Sequence, residues 1–206
     1  MMKNILYIII FLPELIFSQI DTTDLNNLNF VGQKIGVWKQ IILPNKKQNI
    51  SDTLIAYFTY KRDLKDGEYN VYTSKKKLLV KGNYKNGKRN GEIINYYSDG
   101  TIKNQFNEID DIMDGSFKSY WENGNIKKKL YYDDGKIIGT IKHYYENGSL
   151  WFKIIKDNQN PKKELWVFYH KSGKMKLQGN KLNDENIGIW KEYSEDGKIT
   201  SQTEYK

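Results

Sequence analysis

The chain contains no cysteine. That excludes disulfides, thiolate metal sites, a thiol nucleophile and a lipidated cysteine behind a leader. Proline is scarce, three in 206 residues. Histidine is scarcer, His143 and His170 only. A zinc centre or an acid–base triad needs fixed partners that two isolated histidines do not supply. Long apolar runs are missing: Ile5 to Phe11 is too short to cross a bilayer as a helix. No segment sustains a helical hydrophobic period. Only 38% of residues are hydrophobic, which suits a thin sheet better than a thick two-layer core.

What is present is tyrosine and glycine, sixteen of each, and a formal charge of +8. The charge favours acidic partners or surfaces, but the lysines are spread along the chain and mark no nucleic-acid patch. Residues 1–19 read as a secretory leader: Lys3 gives a basic start, Ile5 to Phe11 an apolar run, and Ser18–Gln19 a cleavage region. Residues 20–29 read as a polar linker. The expected location is therefore periplasmic, outer-membrane-associated or secreted.

The glycines carry the organisation. Gly67, Gly91, Gly115 and Gly139 recur every 24 residues; Glu164 takes the next place one residue late, and Gly188 follows 24 after it. Gly100, Gly124, Gly148, Gly173 and Gly197 keep the same period with the same slip. A period of this size means a repeat architecture. Asp99-Gly100, Asn123-Gly124, Asn147-Gly148 and Asp196-Gly197 are type I′ turn dipeptides, and Asn86-Gly87 and Asp134-Gly135 mark a second turn in each unit. The expectation is an all-β repeat array of antiparallel β-hairpins forming one elongated, twisted meander sheet. Residues 30–66 form a degenerate first repeat and 67–206 six hairpin repeats.

Within a unit, slots are numbered from the leading glycine as zero. A two-residue turn at slots eight and nine pairs six with eleven, four with thirteen and two with fifteen, and paired residues share a face. One face then collects Ile93, Tyr97, Ile102 and Phe106, next Phe117, Trp121, Ile126 and Leu130, next Ile141, Tyr145, Leu150, Phe152 and Ile154, and next Trp166, Met175 and Leu177. The other collects slot five, always tyrosine: Tyr72, Tyr96, Tyr120, Tyr144, Tyr169 and Tyr193. Lys118, Lys142 and Lys191 join it, with Lys103, Lys127 and Lys176. This tyrosine/lysine side is the candidate interaction face, since tyrosine suits contact surfaces and lysine meets carboxylates, phosphates or anionic lipid. The apolar side needs cover, from curl of the sheet or from a partner.

The run Tyr84 to Gly91, Tyr-x-Asn-Gly-Lys-x-x-Gly, resembles the MORN repeat in its bacterial variant form. The leading Gly115, the pair Tyr120-Trp121 and the turn Asn123-Gly124 fit the same pattern. The resemblance covers about residues 31–206. It implies a non-catalytic sheet that holds proteins or lies against membranes. Some variant-repeat proteins are antitoxin components, which gives an alternative: a cytoplasmic antitoxin-type protein that neutralises a toxin.

No motif argues for catalysis or a cofactor. Gly82 to Lys88 approaches a phosphate loop, but Arg89 stands where a hydroxyl must hold magnesium, and a strand follows. Asp110 to Asp114 lacks the alternating acids and closing glutamate of a calcium loop. No carboxylate pair stands out from the turns, so no enzyme, cofactor or metal is expected. The expected role is an exported scaffold that binds a protein or a membrane surface.

Overall fold

The computed structural model describes residues 26–45, 51–157 and 159–206. The expected leader lies outside these residues, as does most of the linker. Where the linker range enters the described part, Asn27–Leu28 (β1) pairs with the next strand. That strand, Lys34–Ile42 (β2), forms the first unit with Leu54–Lys61 (β3). Six hairpins follow. They are Leu64–Thr73 with Leu78–Lys85 (β4, β5), then Lys88–Arg89 and Gly91–Tyr96 with Ile102–Ile109 (β6, β7, β8). Next come Ile112–Tyr120 with Ile126–Asp133 (β9, β10) and Lys136–Tyr144 with Leu150–Lys156 (β11, β12). The last two are Lys163–Tyr169 with Met175–Leu182 (β13, β14) and Glu185–Tyr193 with Ile199–Tyr205 (β15, β16). All belong to one antiparallel sheet in which each strand pairs with its sequential neighbours, and β6 is a short extra partner of β5.

Both glycine series have a backbone reason. Each hairpin closes through a three-residue loop, not the expected two-residue type I′ turn. In the unit of Gly91, Gly100 N–H donates to Tyr97 O and Tyr97 N–H donates to Thr101 O. Gly100 has φ +94°, whereas Asp99 is not among the residues with positive φ. A type I′ turn requires positive φ at both central residues; a type I turn followed by a left-handed bulge residue requires it at one. The aspartate is there for its side chain, whose Oδ1 accepts from Thr101 N–H at 2.9 Å. The true type I′ pairs lie at the other end of the hairpins: Arg62–Asp63, Asn86–Gly87, Asp110–Asp111, Asp134–Gly135 and Asn183–Asp184 all carry positive φ at both residues. Asp110 and Asp111 thus serve as a corner.

The first hairpin places Lys76 at the bulge, at φ +60°. A side chain in the left-handed region costs roughly 1–2 kcal/mol, partly offset by the entropy glycine loses on folding. Lys76→Gly should therefore raise stability by about 1 kcal/mol, read as a higher urea midpoint at unchanged slope.

The leading glycines mark a second irregularity. Between β8 and β9 the register shifts from Phe106↔Phe117 to Glu108↔Met113, and Gly115 (φ +98°) lies within the shift. The same shift occurs between β10 and β11, and between β14 and β15. Between β12 and β13 the register runs unbroken from Phe152↔Phe168 to Lys156↔Glu164. With no bulge there, no left-handed residue is needed. Glu164 therefore stands in the glycine slot, paired to Lys156 at 3.0 Å.

Slots two and fifteen form the buried row: Ile93, Phe106, Phe117, Leu130, Ile141 and Ile154 lie in one cluster, flanked by Tyr132, Phe152 and Trp166. A second cluster joins Ile42, Leu54, Ala56, Phe58, Tyr69 and Val71. Large rings on neighbouring strands cover one another here, as in the stack of Phe152 on Trp166 at 5.9 Å. In two places slot fifteen is glycine with a ring lying over it: Tyr69 over Gly82 and Trp190 over Gly179.

Among the described residues, one charged side chain is fully buried on this side. Glu108 is 1% exposed, with Oε2 3.0 Å from Arg89 Nε. The contact is ionic only; that oxygen accepts no hydrogen bond. Arg89 Nε also donates to Asp111 Oδ1 at 3.0 Å. Burial, reinforced by Asp111, outweighs the attraction of Arg89 and pushes the Glu108 carboxyl up to about 7.

Candidate interaction face

Slots three and five lie on one strand two residues apart, so they share a face whatever the opposite strand does. Lys118, Lys142 and Lys191 therefore stand with Tyr72, Tyr96, Tyr120, Tyr144, Tyr169 and Tyr193, opposite the buried row. The six tyrosines are half-buried. Their hydroxyls meet neighbours of the same face: Tyr120 donates to Gln105 Oε1 at 3.3 Å, and Gln178 Nε2 donates to Tyr193 at 3.2 Å.

The returning strand differs from expectation. In every hairpin slot five, not slot six, pairs with slot eleven: Tyr72↔Leu78, Tyr96↔Ile102, Tyr120↔Ile126, Tyr144↔Leu150, Tyr169↔Met175 and Tyr193↔Ile199. The three-residue loop moves the register by one, and a bulge at slot twelve restores it before slot thirteen. Ile102, Ile126, Leu150 and Met175 therefore stand on the tyrosine side, not on the apolar side. Each tyrosine stands opposite an apolar residue across the hairpin, the kind of pair that stabilises a sheet. The bulge also turns slot twelve the other way. Lys103 and Lys127 stand over the rings of Tyr97 and Trp121, at 5.7 and 4.1 Å, and leave the tyrosine side. The face is a belt of phenol and aliphatic pairs beside a belt of lysines, less purely polar than the pattern suggested.

Three features escaped the pattern. Slot fourteen faces slot three across the hairpin, so Lys129 and Lys153 join this face, paired with Lys118 and Lys142; the parity that placed slot three would have found them. Val167, also in slot three, is only 4% exposed and pairs with Lys153 and Gln178. Finally, slot six binds units together. Tyr97 Oη donates to Tyr120 O at 2.7 Å, Trp121 Nε1 to Tyr144 O at 3.2 Å and Tyr145 Oη to Tyr169 O at 3.1 Å. His170 Nε2 meets Tyr193 O at 2.9 Å in the same way. These four rings, of three kinds, share a terminal N–H or O–H, and that was the readable signal. His143 plays no such part. It stacks on Phe152 at 4.3 Å, and burial with Lys128 and Lys127 nearby lowers its pKa to about 4.

A family model described as MORN repeat variant matches residues 113–134, 137–155 and 187–206. The three segments fall on β9–β10, β11–β12 and β15–β16, one hairpin each. These units are MORN variant repeats. No curated protein matches the chain. MORN repeats in general mediate protein or membrane-lipid interactions and are a non-catalytic repeat type. In this chain each MORN hairpin contributes one tyrosine and its aliphatic partner to a single continuous face.

Proposed function

We propose that the chain is an exported, non-catalytic scaffold that holds a partner, a protein in the first place, on the tyrosine/lysine face. The observation that carries this is the unbroken row of half-exposed tyrosines, one per hairpin from Tyr72 to Tyr193, bordered by lysines. Tyrosine offers a large, stiff contact area with a polar tip. Export rests on the leader pattern of residues 1–19.

The test is a pair of substitutions, Tyr120→Ser with Tyr144→Ser. The inter-unit bonds here use the backbone carbonyls of these residues, so they survive loss of the rings. Partner capture from a native extract should fall at least tenfold while melting drops by only a few degrees. Unchanged capture with a large fall in melting would instead assign the rings to sheet stiffening. A mature N-terminus near Gln19 or Ile20 supports export; a retained Met1 in a cytoplasmic complex favours the antitoxin-type alternative.

A further inference from the structure

We propose that Asn86 is a site of spontaneous chemical modification: in the folded chain its side chain closes onto the main-chain nitrogen of Gly87, loses ammonia and opens to an isoaspartyl or aspartyl residue. In the first step the Gly87 nitrogen gives up its proton and bonds to Asn86 Cγ. The Cγ–Nδ2 bond breaks, and ammonia leaves with that proton. Water then opens the cyclic imide at either carbonyl. No oxidant or cofactor is needed. The step favours a following glycine, because a Cβ there would crowd the approach.

The sequence holds four such pairs: Asn86-Gly87, Asn90-Gly91, Asn123-Gly124 and Asn147-Gly148. The fold separates them. Asn90 is half-buried, its N–H donates to Asn83 O at 2.9 Å, and Gly91 opens β7 opposite Glu108. The main chain on both sides of that peptide is held by the sheet. The other three asparagines are exposed. Their glycine nitrogens are tied alike, donating to Lys65 O at 2.7 Å, Trp121 O at 2.9 Å and Tyr145 O at 2.9 Å. The nucleophile does not distinguish these sites; the amide side chain does.

Asn123 and Asn147 brace hairpin loops with their side chains. Asn123 Oδ1 accepts from Asn125 N–H at 2.9 Å, and its Nδ2 donates to Glu146 O at 2.9 Å. Asn147 Oδ1 accepts from Ser149 N–H at 3.0 Å and from Ser149 Oγ at 2.7 Å. Each must give up these bonds before its Cγ can swing. Asn86 stands in a two-residue corner at φ +50°, which the backbone alone shapes. Its N–H donates to Asp66 Oδ2 at 3.2 Å, but its side-chain amide makes no hydrogen bond among the described residues. Nothing there holds the amide away from the neighbouring nitrogen. The isoaspartyl product would add one carbon to the main chain of a corner that sets strand register, and would disturb the Gly87 bond to Lys65 O.

The experiment is timed peptide mapping by mass spectrometry of the full chain in mildly alkaline buffer, folded and in urea. In the folded chain Asn86 should convert about tenfold faster than Asn123 or Asn147, the factor expected from the hydrogen bonds those two must release. Asn90 should convert most slowly. In urea the four rates should converge, since all share the same dipeptide. An isoaspartyl-specific methyltransferase should label the aged folded chain, and Asn86→Asp should remove most of that label. Equal rates at the three exposed sites of the folded chain, a faster Asn90, Asn123 or Asn147, or conversion of Asn86 in urea alone would overturn the proposal. The same ranking kept in urea would overturn it too, by assigning the preference to neighbouring sequence instead of the fold.

Discussion

Gly179→Ala should destabilise the protein by about 4 kcal/mol. A Cβ at Gly179 would lie 2.1 Å from Cδ2 of Trp190 and 2.3 Å from its Cγ and Cε2. These atoms sit at the root of the indole, so no small rotation of the ring tip relieves the overlap. The ring is also held by its own donor, Nε1, which donates to Asn180 O at 3.1 Å. It is 8% exposed and packs edge-on against Tyr205 at 6.4 Å. The alanine must therefore expel the indole. Overpacking costs roughly 1–3 kcal/mol, and exposing a large ring forfeits a few kcal/mol more of burial. Denaturant unfolding of Gly179→Ala, Trp190→Leu and the double variant makes the cycle. Coupling should be large, because the smaller leucine side chain leaves room for a methyl. A loss below about 1 kcal/mol for Gly179→Ala alone would show that the indole does not lie on the glycine.

The second large effect is a pH dependence set by Glu108. Its carboxyl in the folded chain is pushed up to about 7, from an ordinary value of 4.5. Below 4.5 both folded and unfolded chains hold the proton, and the group does not affect stability. Between these values only the folded chain holds it, so stability falls as pH rises. Above 7 both forms have released it and the fall ends. Over that window the loss amounts to about 3 kcal/mol. Glu108→Gln should abolish this part of the slope and be more stable than the unaltered protein by about that amount at pH 8. Arg89 keeps Asp111 as its partner in the variant, which limits the loss of the ion pair. Urea midpoints of the two proteins from pH 4 to 8 give the comparison. Parallel curves would mean that Glu108 is not buried as described.

The repeat, its strand pairing and the buried row could be read from residues because each depends on something local. Gly115 and Gly100 recur since a left-handed backbone recurs, and Ile93, Phe117 and Ile141 recur since one side of each strand is covered. What could not be read is where an extra residue sits. Asp99-Gly100 suits a two-residue corner and a three-residue one equally well; only backbone hydrogen bonds separate them. That single residue decides whether Ile126 stands with Phe117 or with Tyr120. The compensating bulge at Lys127 returns slots thirteen and fifteen to the expected pairing, so Phe106 and Leu130 were placed correctly in spite of it. The overlay of Trp190 on Gly179 left no pattern at all: a glycine at slot fifteen gives no hint of which strand supplies its cover. Lys129 and Lys153 were within reach, because slot fourteen lies opposite slot three in either kind of turn.

The ring donors of slot six point one way only. Each unit reaches forward to the next, from Tyr97 through Trp121 and Tyr145 to His170, and the final unit has Ser194, whose hydroxyl turns back onto Lys198 O of its own loop. The array therefore has a direction, like a row of hooks and eyes. Cutting between two units leaves a spare hook on the upstream piece and a bare eye on the downstream one. Lengthening the array beyond Tyr205 would call for an aromatic donor in place of Ser194, whereas lengthening it at the other end would ask nothing new of the units already present.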